Sequence, residues 1–285
     1  MKRIIREKML VKYETYLRRE EKSRATINKY LCDLRKLMAY AGGKEVGKEL
    51  VLAYKDKLLT QDGYKVSSIN SYLAAANSFF EYMGWLDLKV KTYRVQQEAF
   101  CPENKYLSKE EYYRLVKTAK EMGKIRLAMI LQTICAMGIR VSELKAVTVE
   151  AVRNNSVIIY NKGKIRTVFL PDELRKELLY YISRNGIREG VVFCTASGRA
   201  VNRSNVWREM KSLCGKAGVD ADKVFPHNLR HLFAVVFYEM GKDIAKLADV
   251  LGHSSIETTR GYIKTTGREH RRQLNRMKLV PESAQ

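Results

Sequence analysis

At 285 residues and 46% hydrophobic content the chain can bury a substantial core, more naturally divided between two domains than held in one, and it falls outside the composition of disordered proteins. Its 53 Lys and Arg against 31 Asp and Glu leave a net charge of +22. That balance points to a polyanionic partner, with nucleic acid first, although ribosomal and membrane-surface proteins share it. The N-terminus, Met1-Lys2-Arg3-Ile4-Ile5-Arg6, is basic without an apolar core, and no run of about eighteen apolar residues follows, so neither export nor membrane insertion is expected. Cys32, Cys101, Cys135, Cys194 and Cys214 are odd in number and lack a C-x-x-C pair, which fits a reducing cytosol and leaves no zinc grip.

In chain order, Ile27, Tyr30, Leu31, Leu34, Leu37, Met38 and Ala41 recur at helical spacing and run into Gly42-Gly43, a left-handed stop. The spacing returns in Ile69, Tyr72, Leu73, Ala76, Phe79, Phe80 and Met83, with Ser67-Ser68 as caps and Gly84 as the end. Helical patterns near residues 4–20 and 46–60 complete a four-helix bundle over residues 1–90, with no nucleophile beside a base. From 91 to 105 the apolar period fades and Pro102 breaks any continuing helix, which predicts a domain linker. Residues 106–285 form the second domain. Helices are expected at 108–121 and 124–137, followed by Gly138 and re-entry into a helix at Val141. A β-hairpin is expected over 156–170 around Asn161-Lys162-Gly163-Lys164, and a short extra strand at Val191-Val192-Phe193. The fold class is therefore mainly α with a small β-sheet, in two domains.

Two signatures near the C-terminus concentrate the chemistry. Pro226 can open a helix running to Met240, stopped by Gly241, with Leu229, Phe233, Val236 and Met240 on its buried stripe. His227 and Arg230, at i and i+3, then share an edge near the amide-rich N-terminus, where a phosphate is favoured; the bland alternative is a surface pair on a basic helix. His253 closes Leu251-Gly252-His253, and Ser254 with Glu257 matches a capping box, which puts the imidazole at a helix N-terminus that keeps it neutral. Tyr262 stands nine residues on, after Gly261, whose flexibility would let the phenol swing. Arg140 supplies a guanidinium fork for two phosphate oxygens, and Lys162 at the hairpin tip an ammonium, with Lys164 competing for the same role.

The order Arg140, Lys162, His227-x-x-Arg230, His253, Tyr262 resembles the tyrosine recombinase (phage integrase) family. Gly138-Ile139-Arg140-Val141-Ser142-Glu143-Leu144, His227-Asn228-Leu229-Arg230-His231 and Leu251-Gly252-His253 are close to that family's strongest boxes. The resemblance covers essentially the whole chain. It implies an N-terminal core-binding helical bundle followed by an α+β catalytic domain, and a simple Xer-type or small integrase-type member without a further arm-binding domain. The hairpin turn is about one residue shorter than in Xer-type relatives, and Leu232 stands where a small hydroxyl residue is common.

The resemblance also implies a reaction. Tyr262 would attack a DNA phosphodiester to form a 3′-phosphotyrosine and release a 5′ hydroxyl, which a second strand's 5′ hydroxyl reverses onto a new partner. Arg140 and Arg230 would neutralise the transition state, His253 would donate to it, His227 would take the tyrosine proton, and Lys162 would act as general acid. No glycine-rich P-loop and no clustered carboxylates occur, so no cofactor and no metal are expected. The implied partners are double-stranded DNA at specific sites and three further protomers, a homotetramer exchanging strands through a Holliday junction, with residues 268–285 as a basic tail docking on a neighbouring protomer. A type IB topoisomerase-like nicking and closing enzyme, or a regulator keeping the fold without the reaction, are the competing readings.

Overall fold

The computed structural model describes residues 2–94, 105–161, 164–195, 197–263 and 267–277. Within it the chain divides into two units, Met1–Gln97 and Glu98–Gln285, each with its own core.

The first unit consists of α1 (Glu7–Arg19), α2 (Arg24–Ala41), α3 (Lys48–Thr60) and α4 (Val66–Tyr82). Ser23 caps α2 by accepting from the Thr26 amide, and Gly42 ends it in the left-handed conformation at φ 56°. The expected caps of α4 are corrected: the helix begins at Val66 with Lys65 ahead of it, so Ser67 and Ser68 lie inside its first turn. The buried faces are those the spacing predicts, with Ile27, Leu31, Leu34 and Leu37 of α2 facing Ile69, Leu73, Phe79 and Phe80 of α4 in one core. Tyr13 of α1 packs edge-on to Phe79 with ring centroids 5.3 Å apart, and its buried hydroxyl hydrogen-bonds Ser78 at 2.7 Å.

Two asparagines of α4 hold the chain that leaves this bundle. Asn77 donates to the Val90 carbonyl at 2.8 Å and accepts from the Val90 amide at 2.9 Å, and Asn70 does the same with Tyr93 at 2.8 Å both ways. Seven residues of helix span about 10.5 Å and three of extended chain about 10 Å, so the two spacings match and each amide imitates a strand partner.

The second unit opens with α5 (Lys109–Glu121), begun by a capping box between Ser108 and Glu111, and α6 (Ile125–Met137). A 3₁₀ turn follows at Val141–Ala146, then α7 (Val149–Arg153). Strands β1 (Ser156–Asn161) and β2 (Lys164–Phe169) pair antiparallel, with Ile159 opposite Arg166 and Asn161 opposite Lys164. Their alternation is strict: Val157, Ile159 and Val168 face the core, whereas Ile158, Tyr160, Ile165 and Phe169 face outward and are exposed. Next come α8 (Asp172–Arg184), α9 (Arg203–Lys211), α10 (Cys214–Ala217), α11 (Pro226–Gly241), α12 (Ile244–Leu251), α13 (Ile256–Arg260) and α14 (Gly267–Arg276). Helix α6, buried along most of its length, touches α5, α8, α9 and α11 and forms the centre of the unit.

Two expectations fail here. Val191-Val192-Phe193 is not a strand: Val191 makes a single bridge with Thr148 and Cys194 another with Ala200, because the chain turns at Thr195–Gly198 before a ladder can extend. Helix α11 runs through Gly241, its left-handed residue is Lys242 (φ 51°), and Met240 is 84% exposed. The core face there passes to Ala234, which packs with Leu247 and Leu251 of α12, so Met240 lies beyond the covered stretch. Cys101, Pro102 and most of the expected linker lie outside the described residues, as do Lys162 and Gly163 of the hairpin turn. Among the described residues no helix is long and apolar enough to cross a membrane.

Replacing Asn77 by alanine leaves the Val90 amide and carbonyl without their partner, which is expected to destabilise the first unit by about 1–3 kcal/mol. Urea denaturation combined with amide exchange at Val90 checks this, and an unchanged midpoint would mean that water takes over the clamp.

Candidate active site

Arg230 enters the unit one turn into α11 and is 1% exposed. Its Nη1 donates to the Gly138 carbonyl at 2.7 Å, and its Nη2 to the Leu251 carbonyl at 2.7 Å and to His253 Nε2 at 3.0 Å. Those carbonyls close α6 and α12, where helix dipoles place partial negative charge. Gly138 has φ +61°, and a Cβ there would lie 2.3 Å from Phe233 Cδ1, so only glycine brings this carbonyl to the arginine. Burial, and then Arg140, push the Arg230 pKa down to about 10, which leaves it charged at neutral pH. The reading of His227 and Arg230 as a surface pair is therefore excluded for Arg230, while His227 remains exposed.

Arg140 begins the 3₁₀ turn, and Glu143, three residues on, folds back beneath it. The buried Glu143 carboxylate accepts from the Arg140 amide at 2.7 Å and from its Nη1 at 3.0 Å. Arg166 of β2 binds both oxygens of the same carboxylate, at 3.2 and 2.8 Å. Burial raises the Glu143 pKa, and the Arg166 and Arg140 hydrogen bonds and charges outweigh it, holding the carboxyl below its usual value and ionised.

The histidines and Tyr262 form the other half. Since a guanidinium only donates, His253 Nε2 accepts from Arg230, and its Nδ1–H donates to Thr259 Oγ1 at 2.9 Å. Burial, with Arg230, Arg140 and Arg166 nearby, pushes His253 down to about 4. The expected cap is corrected: Ser255, not Ser254, caps α13, and it accepts from the Glu257 amide. A five-residue helix has little dipole to offer, and burial among arginines is what keeps the imidazole neutral. Partial desolvation of its ring, then Arg230, Arg140 and Arg203, also lower the His227 pKa.

Tyr262 is buried with its phenol against the Arg230 guanidinium. The rings of His227, His231 and His253 surround it at centroid distances of 5.4, 5.5 and 5.4 Å. Gly261 is right-handed (φ −59°), so no special backbone is used to swing the phenol, which already lies in the cluster. Arg140, Lys164, Arg166 and His253 line one groove of about 600 Å³ beside it. Lys164 sits on the same hairpin face as Arg166; Lys162 lies outside the described residues.

Five of the six residues singled out from the sequence thus come together. Glu143, Arg166, Thr259 and His231 also belong to the cluster, and sequence reasoning assigned them no role. The available signals were the i+3 spacing of Glu143, the strand alternation that puts Arg166 beside Lys164, and the position of Thr259 one turn before the tyrosine. Leu232 is buried and lines an apolar pocket with Phe233 and Val236.

The second unit thus gathers a buried tyrosine, arginines and neutral imidazoles around one groove, an arrangement suited to an anion. Residues 105–269 match the phage integrase family and residues 10–85 the phage integrase N-terminal SAM-like domain. Similar chains include tyrosine recombinase XerA of Thermococcus kodakarensis, 32% identical with 95% of this chain and 96% of that protein covered. XerA of Pyrococcus furiosus is 29% identical, with 97% and 96% covered. A lambda integrase tetramer bound to a Holliday junction matches with a TM-score of 0.73 at 14% identity, covering 92% of this chain and 78% of that one, a likeness of fold. The chain belongs to the phage integrase family, the tyrosine-type site-specific DNA recombinases.

His231, stacked on Tyr106 and 6% exposed, is also pushed down to about 4 by burial and then by His227 and Lys105. Between pH 6.5 and 4 the unfolded chain binds protons that the folded His231 and His253 refuse. Stability is therefore full above pH 6.5 and falls toward pH 4, by roughly 3 kcal/mol from His231 alone. Thermal melts across this range should show the loss, and His231→Phe should make it shallower, leaving the share of His253; an equally steep loss in that variant would place the acid sensitivity elsewhere.

Proposed function

We propose that Tyr262 is the nucleophile of DNA strand exchange and that Arg140, Lys162, His227, Arg230 and His253 serve it. The observation that carries this reading is the buried Tyr262 phenol held against Arg230 within a ring of three imidazoles. The tyrosine oxygen forms a bond to phosphorus while the bond to the 5′ oxygen breaks. The phenolic proton passes to His227, which its lowered pKa keeps neutral and able to accept. Lys162 gives a proton to the leaving 5′ oxygen, with Lys164 at the groove as its competitor. The products are a 3′-phosphotyrosine and a free 5′ hydroxyl, and attack by a partner strand's 5′ hydroxyl reverses the step without loss of bond energy.

Arg140 and Arg230 are assigned to the oxygens of the phosphorane-like transition state. His253 Nε2 accepts from Arg230, so donating to a phosphate requires the proton to move from Nδ1 to Nε2 as Arg230 Nη2 turns to the anion. The substrate is double-stranded DNA at specific sites, bound in the cytoplasm, and the working unit is a homotetramer on paired sites. The tetrameric state of the similar lambda integrase supports this.

Labelled DNA segments flanking the protein's own gene, incubated with wild type and resolved on a denaturing gel, should yield a covalent adduct through a 3′ phosphate. Tyr262→Phe should yield none, and Arg140→Ala should slow cleavage by about 10²- to 10³-fold while retaining much of the DNA binding. An adduct from Tyr262→Phe, or wild-type cleavage by Arg140→Ala, would overturn the assignments.

Leu274 of α14 and Met277 just beyond it are exposed, which supports a tail that docks on a neighbouring protomer. Deleting residues 268–285 should weaken assembly on DNA, read by native gel mobility, and leave the melting temperature near wild type; normal assembly would rule the tail out.

A further inference from the structure

Among the described residues three arginines share the buried Glu143 carboxylate. Arg166 occupies both of its oxygens through a two-nitrogen fork, Arg140 uses the same two oxygens, and Arg230 Nη1 stands 3.9 Å away. The side chains differ in access: Arg140 is 33% exposed to the groove and Arg166 is 13% exposed. A carboxylate enclosed this way must be paired, since an uncompensated buried charge is strongly destabilising. If Arg140 were its only partner, drawing that guanidinium to a phosphate would strand Glu143. With Arg166 in place the carboxylate remains paired when Arg140 leaves.

Arg166 makes a second contact. Gly252, immediately before His253, has φ +66°, and a Cβ there would meet Arg166 Nη1 at 2.7 Å and Cδ at 2.8 Å. The arginine therefore lies across the bend that delivers His253, and it reaches there from the hairpin face that also carries Lys164.

We propose that Arg166 is a positioning residue which retains Glu143 so that Arg140 can move to the phosphate, and whose stem fixes the turn leading to His253. Charge balance agrees: the Glu143–Arg166 pair cancels, leaving Arg140 and Arg230 as two positive charges. Attack on a singly charged diester by a tyrosine whose proton has gone to His227 produces a doubly charged phosphorane. The proposal rests on Arg140 being a phosphate ligand.

The test is a double-mutant cycle on single-turnover cleavage, using the duplex on which wild type forms its adduct and temperatures well below each variant's melting point. Arg166→Met keeps the stem over Gly252 without the charge, and Glu143→Gln removes the carboxylate it retains. Arg166→Met alone should slow cleavage by about 30-fold or more with DNA affinity within about threefold, since Arg140 is then held by Glu143. In the Glu143→Gln background the same substitution should cost about tenfold less, because no buried charge remains to hold Arg140. Arg166→Lys, a single ammonium unable to fork both oxygens, should recover only a small part of the rate. Equal costs of Arg166→Met in both backgrounds, or cleavage at the wild-type rate, would overturn the proposal. Arg140→Ala cleaving as fast as wild type would instead overturn the phosphate assignment beneath it, so the two failures are distinguishable.

Discussion

The second unit is built around a cation it cannot expose. Arg230 is buried among the ends of α6 and α12, and the penalty for desolvating it is offset by two carbonyls at helix C-termini, where the dipoles are negative. Because Arg230 starts from α11, three helices must converge for its hydrogen bonds to close. The packing of the core and the geometry of the cation cluster are consequently one requirement. The left-handed Gly138 shows how tightly that requirement is drawn, since the Phe233 ring fills the space a side chain would need.

Around this centre the unit gathers like charges, which oppose folding and favour function. Arg140, Arg166 and Arg230 stand within reach of one carboxylate, and their combined field, with burial, keeps His253 uncharged. An anion entering the groove would relieve that repulsion, because the cations are already gathered there when it arrives. The repulsion tolerated among these cations is part of what makes the site receptive to an anion.

Much of this was legible in the sequence because the boxes are local. Arg140 follows a glycine stop, His227 and Arg230 share one helical turn, and Tyr262 lies nine residues from His253, so each is visible as a local box, and the family resemblance joins the boxes into one site. The bundle helices were equally readable from their apolar period. What escaped was non-local: Arg230 meets a carbonyl 92 positions away, and Arg166 a carboxylate 23 positions away, and no periodicity announces either. Cap details failed for a related reason, since Ser254 and Ser255 are equally good caps and only packing chooses between them. Met240 shows the limit of a helical stripe, which predicts a face without saying how far a neighbour covers it.

The strict alternation of the hairpin has a consequence for how such a protein can change over evolution. Arg166 turns inward to Glu143 while Ile158, Tyr160, Ile165 and Phe169 look out, and in a strand the two faces exchange with every shift of one residue. Inserting or deleting a single residue within β2 would turn Arg166 away from Glu143, even though composition, charge and strand propensity stayed nearly the same. Length variation in these strands is therefore governed by parity: paired changes along a strand can be absorbed, and odd ones separate Arg166 from Glu143 while leaving a protein that still looks, by sequence, almost intact.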